Sequence, residues 1–164
     1  FRHKVQELLT ECADGNRAAA VKLTRELFGP EKKDTDPKKS RILFEESIDE
    51  RKQGHIQNIT RNKIDRFTGG VVKTGLFSER VGVGGEYRLK IAIRDAKDYE
   101  IGMILLVVQE LVNGLMAIGG TTSVGRGVMR LNGVITMNQE EVTKEETEHY
   151  WERLCCRLAE CEDV

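Results

Sequence analysis

An apolar stretch, Ile101 to Val108, leads through a helical pattern into Gly119-Gly120-Thr121-Thr122-Ser123-Val124-Gly125-Arg126-Gly127. This junction constrains the chain more than any other feature. Four glycines in nine residues cannot prolong a helix, and they let the backbone turn with consecutive N–H groups open to solvent. Arg126 adds a positive charge, so the segment suits a phosphate chain. The same glycines also suit a plain helix-to-strand turn. The segment lacks a Gly-Lys-Ser/Thr ending, which disfavours a nucleotide triphosphatase loop.

The helix before the loop carries Ile101, Leu105, Val108, Val112 and Leu115 at helical spacing, with Ile104 and Leu111 widening the face. Asp95 is the expected cap, and Asp98 falls in the first turn. Upstream, Val5, Leu8, Leu9 and Cys12 predict a helix over residues 1–12. A second helix is predicted from about Ala18 to Phe28, stopped by Gly29-Pro30. The polar run Glu31 to Ser40 reads as a loop, and Ile42 with Phe44 as a short strand. Asp49 to Arg66 is polar and basic and predicts an extended arm or hairpin. Glycines at 69–70 and 82–85 bracket a second turn-bounded segment. Tyr87, Leu89, Ile91 and Ile93 alternate with Glu86, Arg88, Lys90 and Arg94, which predicts the clearest strand. Val128 to Met137 predicts another strand, bent near Gly133. A last helix from about Lys144 to Glu160 places Trp151, Leu154, Cys155 and Leu158 on one side.

This order predicts an α+β domain with helices over one sheet face. At 164 residues, 39% hydrophobic and 32% charged, the chain is long enough for one real core and too apolar for a disordered segment. The apolar run is well short of a membrane span, so no membrane partner and a cytoplasmic location are expected. The formal net charge of -1 excludes a uniformly basic binder, but the charge is uneven. Residues 51–94 hold ten Lys/Arg against three Asp/Glu, and residues 138–164 hold three against nine. A local basic surface is enough to orient an anionic ligand.

Cys12, Cys155, Cys156 and Cys161 form no secreted framework, so reduced thiols are expected. His3, His55 and His149 have no ligand spacing with them, so no metal site is assigned. Whether Cys155, Cys156 or Cys161 has a redox role is left open.

Ile64-Asp65-Arg66-Phe67-Thr68-Gly69, then Gly75-Leu76-Phe77, then Gly119 to Gly127 after an apolar helix resemble, in that order, the RAMP superfamily of CRISPR effector proteins. The chain is most similar to the backbone subunit of type III interference complexes. One departure is that Gly75 precedes Leu76 directly, without the family's intervening residue. The resemblance implies a modified ferredoxin-like (RRM-like) fold with an inserted basic thumb or hairpin. On this basis residues 1–137 are the RAMP-like core, about 49–85 the thumb, and 138–164 a carboxy-terminal helix. Only Phe1-Arg2 matches the end of the family's Ser-Leu-Lys-Gly-x-x-Arg segment. The first strand, the Lys-Gly contact and the loop bearing the catalytic aspartate are therefore expected upstream of Phe1.

The resemblance implies a guide-RNA-binding subunit that works with target RNA, other type III subunits and copies of itself. Metal-dependent target-RNA cleavage, with a divalent cation such as Mg²⁺, is expected of an intact protein only; guide binding needs no cofactor. The expected RNA contacts are Arg2, Lys52, Arg61, Lys63, Arg66, Lys73, Arg80, Gly119, Gly120, Ser123, Gly125, Arg126 and Gly127. Phe67 and Phe77 are candidates for a base wedge or for packing within the thumb. Asp65 reads as a turn cap or ion-pair partner, and no catalytic residue is assigned. Two alternatives stay open: a noncatalytic protein-assembly module, and an autonomous guide-RNA-processing endonuclease of the same superfamily.

Overall fold

The computed structural model describes residues 1–30, 38–46 and 53–162. It divides into two compact units, Phe1–Leu43 with Ile93–Val164, and Phe44–Ala92. The order of elements is that of an α+β chain with small antiparallel sheets.

Among the described residues the first unit holds four α-helices. Helix α1 (Arg2–Cys12) buries Val5, Leu8 and Leu9, and ends where the Gly15 amide turns back to the Thr10 carbonyl at 2.8 Å. Cys12 departs from the expected buried face and is exposed; the next residue, Ala13, occupies the buried position. Helix α2 (Arg17–Phe28) starts at Asn16, whose side-chain oxygen accepts from the Ala19 amide at 3.2 Å. It buries Ala19, Ala20, Leu23, Thr24 and Leu27, and the Thr24 hydroxyl is satisfied by the Ala20 carbonyl at 2.7 Å. Helix α3 (Asp98–Val112) and helix α4 (Lys144–Glu162) pack closely because Gly102 has no side chain. A Cβ there would collide with the Tyr150 carbonyl oxygen and sit 3.2 Å from the Leu154 Cβ. Thr143 caps α4: its hydroxyl accepts from the Glu146 amide at 3.2 Å, and Glu146 accepts from the Thr143 amide at 2.9 Å. Leu154 and Leu158 face the core, whereas Cys155 is exposed.

Asp95 does not cap α3. Lys97 takes that position, and Asp95, with φ 48°, turns its carbonyl towards Arg41. The start of α3 is instead organised by Glu100, which is 0% exposed. Its carboxylate accepts from Arg41 Nη1 at 2.7 Å, Arg41 Nη2 at 2.9 Å and the Lys97 amide at 3.0 Å. Arg41 also donates to the Arg94 carbonyl from Nη2 at 3.0 Å and Nε at 3.2 Å. Within this unit one guanidinium therefore ties the segment before Ile42 to the segment after Ile93. A buried carboxylate is tolerated here because all of these donors converge on it.

Strands β1 (Ile42–Phe44) and β4 (Ile91–Ile93) pair as a two-stranded sheet. Among the described residues the predicted strand over residues 86–94 is reduced to β4 and a single bridge residue, Tyr87. Tyr87 and Leu89, expected on the buried side of that strand, are exposed. The second unit is dominated by an antiparallel ribbon, β2 (His55–Ile64) with β3 (Val71–Val83), whose register shifts between Asn62 and Ile64. The expected strand Val128 to Met137 is reduced to an isolated bridge, Ala117 with Val128, and to β5 (Thr136–Met137) paired with β6 (Glu140–Glu141). Much of the expected loop Glu31 to Ser40 and the start of the Asp49 arm lie outside the described residues.

Candidate nucleic-acid interface

The glycine-rich segment folds as a tight 3-10 turn, Thr122–Val124, between two left-handed residues, Thr121 at φ 55° and Gly125 at φ 81°. The turn consumes two amides: Val124 donates to the Thr121 carbonyl at 3.2 Å and Gly125 to the Thr122 carbonyl at 3.0 Å. The base is closed by the Ile118 amide, which donates to the Gly127 carbonyl at 2.9 Å. Gly127 must be glycine, since a Cβ would collide with the Ile118 carbonyl oxygen. Gly120 is different. A Cβ there meets nothing within 4 Å and its φ lies outside the left-handed region, so the fold of the chain itself imposes no need for glycine.

Among the described residues, the amides of Gly119, Gly120, Thr122 and Ser123 have no protein acceptor. All four residues are exposed. Arg126 is half-buried and donates from Nη1 to the Thr121 hydroxyl oxygen at 3.1 Å, which braces the left-handed residue before the turn. The arrangement is a row of fixed, outward donors on a braced loop, which suits an oxyanion. The sequence reading included Gly119, Gly120 and Ser123 but left out Thr121 and Thr122. Their contribution is through the backbone and follows from turn geometry, which side-chain chemistry does not signal.

In the ribbon unit, Arg61, Lys63, Arg66, Lys73 and Arg80 come together on one hairpin. At about 3.4 Å per residue, ten-residue β2 is roughly 34 Å long. One face carries Ile59, Arg61, Glu79 and Val81, all half-buried; Arg61 Nε lies 3.9 Å from Glu79 Oε2, so this cation is partly neutralised. The other face is exposed and polar, with Asn58 opposite Arg80 and Thr60 opposite Ser78, whose hydroxyls are 3.2 Å apart. Lys63, Arg66, Lys73 and Arg80 are exposed and have no acidic partner among the described residues.

The hairpin tip is organised by Asp65. Its Oδ1 accepts from the Phe67 amide at 2.7 Å and the Thr68 amide at 3.0 Å, while its own amide donates to the Gly70 carbonyl at 2.9 Å. The Thr68 and then the Phe67 amide hold the Asp65 carboxyl below the usual carboxylate range. Asp65 is thus a turn cap. This closed turn projects Phe67, whose side chain is 100% exposed, and Phe77 is 45% exposed beside Arg61 in the paired region. Neither ring is buried in a core.

Arg2 is in the helical unit, half-buried, with Nη1 donating to the Pro30 carbonyl at 3.3 Å. Lys52 lies outside the described residues. The expected contacts therefore form two local groups, one on the glycine loop and one on the ribbon, with Arg2 apart on α1. Among the described residues no three His, Cys, Asp or Glu side chains group as the ligands of a cation would.

The loop offers amides without a protein acceptor and the ribbon offers exposed cations, features that suit a polyanion. The RAMP superfamily model matches residues 1–130, and the chain belongs to that superfamily. RAMP domains are ferredoxin-like folds, and membership carries a CRISPR-associated RNA-binding role within RNA–protein complexes. Comparison with curated proteins and with solved structures yields no match. No helix among the described residues is long and apolar enough to cross a membrane.

Proposed function

We propose that the chain is a guide-RNA-binding backbone subunit of a type III CRISPR ribonucleoprotein. The observation that carries this reading is the row of amides at Gly119, Gly120, Thr122 and Ser123 without a protein acceptor. Phosphodiester oxygens supply the acceptors that these donors lack, and such contacts set register without reading sequence. The open space above Gly120 lets a sugar-phosphate backbone approach the main chain. Ser123, Gly125, Arg126 and Gly127 complete the loop's phosphate contact. On the ribbon, Lys63, Arg66, Lys73, Arg80 and Arg61 neutralise further phosphates, and Arg2 and Lys52 are assigned to the same RNA. Phe67 presents a bare aromatic face to a base, and Phe77 divides its surface between the ribbon and solvent.

In this reading, copies of the chain assemble along the guide with other type III subunits, and the ribbon meets the guide–target pairing. Within that complex, target-RNA cleavage with a divalent cation such as Mg²⁺ is the proposed activity, and no residue of this chain is assigned to it. The test is Gly120→Val, a change that has room in the free chain. Filter binding to single-stranded guide-like RNA should weaken about tenfold, or about 1.4 kcal/mol, with the melting temperature unchanged. Wild-type affinity in this variant would remove the loop from the interface.

A further inference from the structure

The outer face of α2 carries a cationic concavity that belongs neither to the glycine loop nor to the ribbon. Arg17, Val21 and Arg25 recur every fourth residue and so lie in one file along the helix, with Ala18 and Lys22 in the adjacent file. Together with Lys38 they line a hollow of about 610 Å³. Val21 is 41% exposed, and with Ala18 it forms a small aliphatic floor between the cations.

Among the described residues Glu26 is the one acidic side chain lining this hollow, and its carboxylate is already engaged. Its Oε2 accepts from the Tyr99 hydroxyl at 3.0 Å, and its Oε1 lies 3.8 Å from Arg157 Nη2. Burial, reinforced by the bond to Glu26, pushes the Tyr99 hydroxyl up, so it remains a donor. Arg17 and Lys22 have no acidic partner among the described residues. Arg17 and Lys22 are therefore the two cations of the hollow whose charge no acidic side chain among the described residues offsets.

We propose that this face of α2 is a second contact for single-stranded RNA, with phosphates on Arg17, Lys22 and Arg25 and a ribose or base edge over Ala18 and Val21. This rests on the RNA-binding reading above and adds to it a surface away from the predicted residues. Arg17 to Arg25 spans eight residues, about 12 Å along the axis. That is the length of three to four stacked nucleotides at about 3.4 Å each. An acidic protein partner is less well served: two small aliphatic side chains offer none of the large apolar anchors that protein interfaces bury.

Fluorescence anisotropy with an unstructured single-stranded RNA across a salt series tests the proposal on the whole chain. Arg17→Ala with Lys22→Ala should melt like the wild type. It should lower the slope of log affinity against log salt by about 1.4, since each phosphate contact contributes about 0.7. Should the pair disturb folding, Lys22→Gln alone should lower the slope by about 0.7. An unchanged slope in a folded α2 variant, while Arg66→Glu on the ribbon lowers it, overturns the α2 contact and leaves the RNA reading standing. Absence of RNA binding by the wild type overturns both. Loss of self-association in the α2 variant with an unchanged RNA slope reassigns the surface to protein and overturns the proposal.

Discussion

In the helical unit Leu9, Leu23, Leu27, Met103 and Val107 are sealed from solvent, whereas in the ribbon unit Ile56, Ile64, Leu76 and Phe67 stand in water. The same residue types thus do different work. In the first unit their burial drives folding, at roughly 1.5–3 kcal/mol for each fully buried side chain. In the second they contribute little to a core, and a two-stranded ribbon has marginal stability from its ladder alone. Exposed apolar and cationic groups on one hairpin are a composition that suits a binding element. Buried apolar side chains are concentrated in the helices, and the proposed recognition falls on the ribbon and the glycine loop.

The largest expected effect strikes the helical unit. Arg41→Met leaves the Glu100 carboxylate buried without its bidentate partner, and should cost about 3 kcal/mol. Thermal unfolding should show a Tm lower by about 6–12 °C. A shift within error would mean that the pair does not hold the segments flanking Ile42 and Ile93 together. An intermediate effect is expected on the ribbon, in binding alone. Phe67→Ala should weaken single-stranded RNA by about 1–3 kcal/mol in a titration. It should move stability by less than about 0.5 kcal/mol, since the ring touches no core. Loss of stability without loss of affinity would blur the contrast between the two units.

The smallest effect concerns pH. Asp65 has a folded-state pKa lowered from 3.8, so its contribution to the hairpin tip is present in full above that value. It is lost progressively as the pH falls from 3.8 through the lowered folded-state value. NMR signals of the Phe67 and Thr68 amides should therefore hold their positions at neutral pH and shift only in strong acid. Asp65→Asn should abolish that acid transition. A transition near neutral pH would assign the carboxyl a different environment.

The helices were legible because their apolar spacing, glycine stops and polar caps act within a few residues. Val5, Leu8 and Leu9, and likewise Leu154 and Leu158, fall where the helical repeat puts them. The Asp95 cap failed because a tertiary contact, Arg41 with its carbonyl, competes for that turn. The long strand around Leu89 failed because alternation marks a sheet face but not the length of the partner. The role of Glu100 was not legible, because only the fold brings Arg41 onto it from 59 positions away. In the site, the glycines announced an open loop and Lys63, Lys73 and Arg80 a basic arm. Sequence could not divide the amides into those spent on the 3-10 turn and those left outward. Nor could it show that Glu26 turns away from the α2 cations, because Tyr99 and Arg157 come from distant segments.

Hydrogen exchange followed by NMR, with and without single-stranded RNA, tests the central claim most directly. The account predicts that RNA slows exchange at the Gly119, Gly120, Thr122 and Ser123 amides while the interior amides of α3 keep their rates. Unchanged exchange at those four positions under saturating RNA would contradict it.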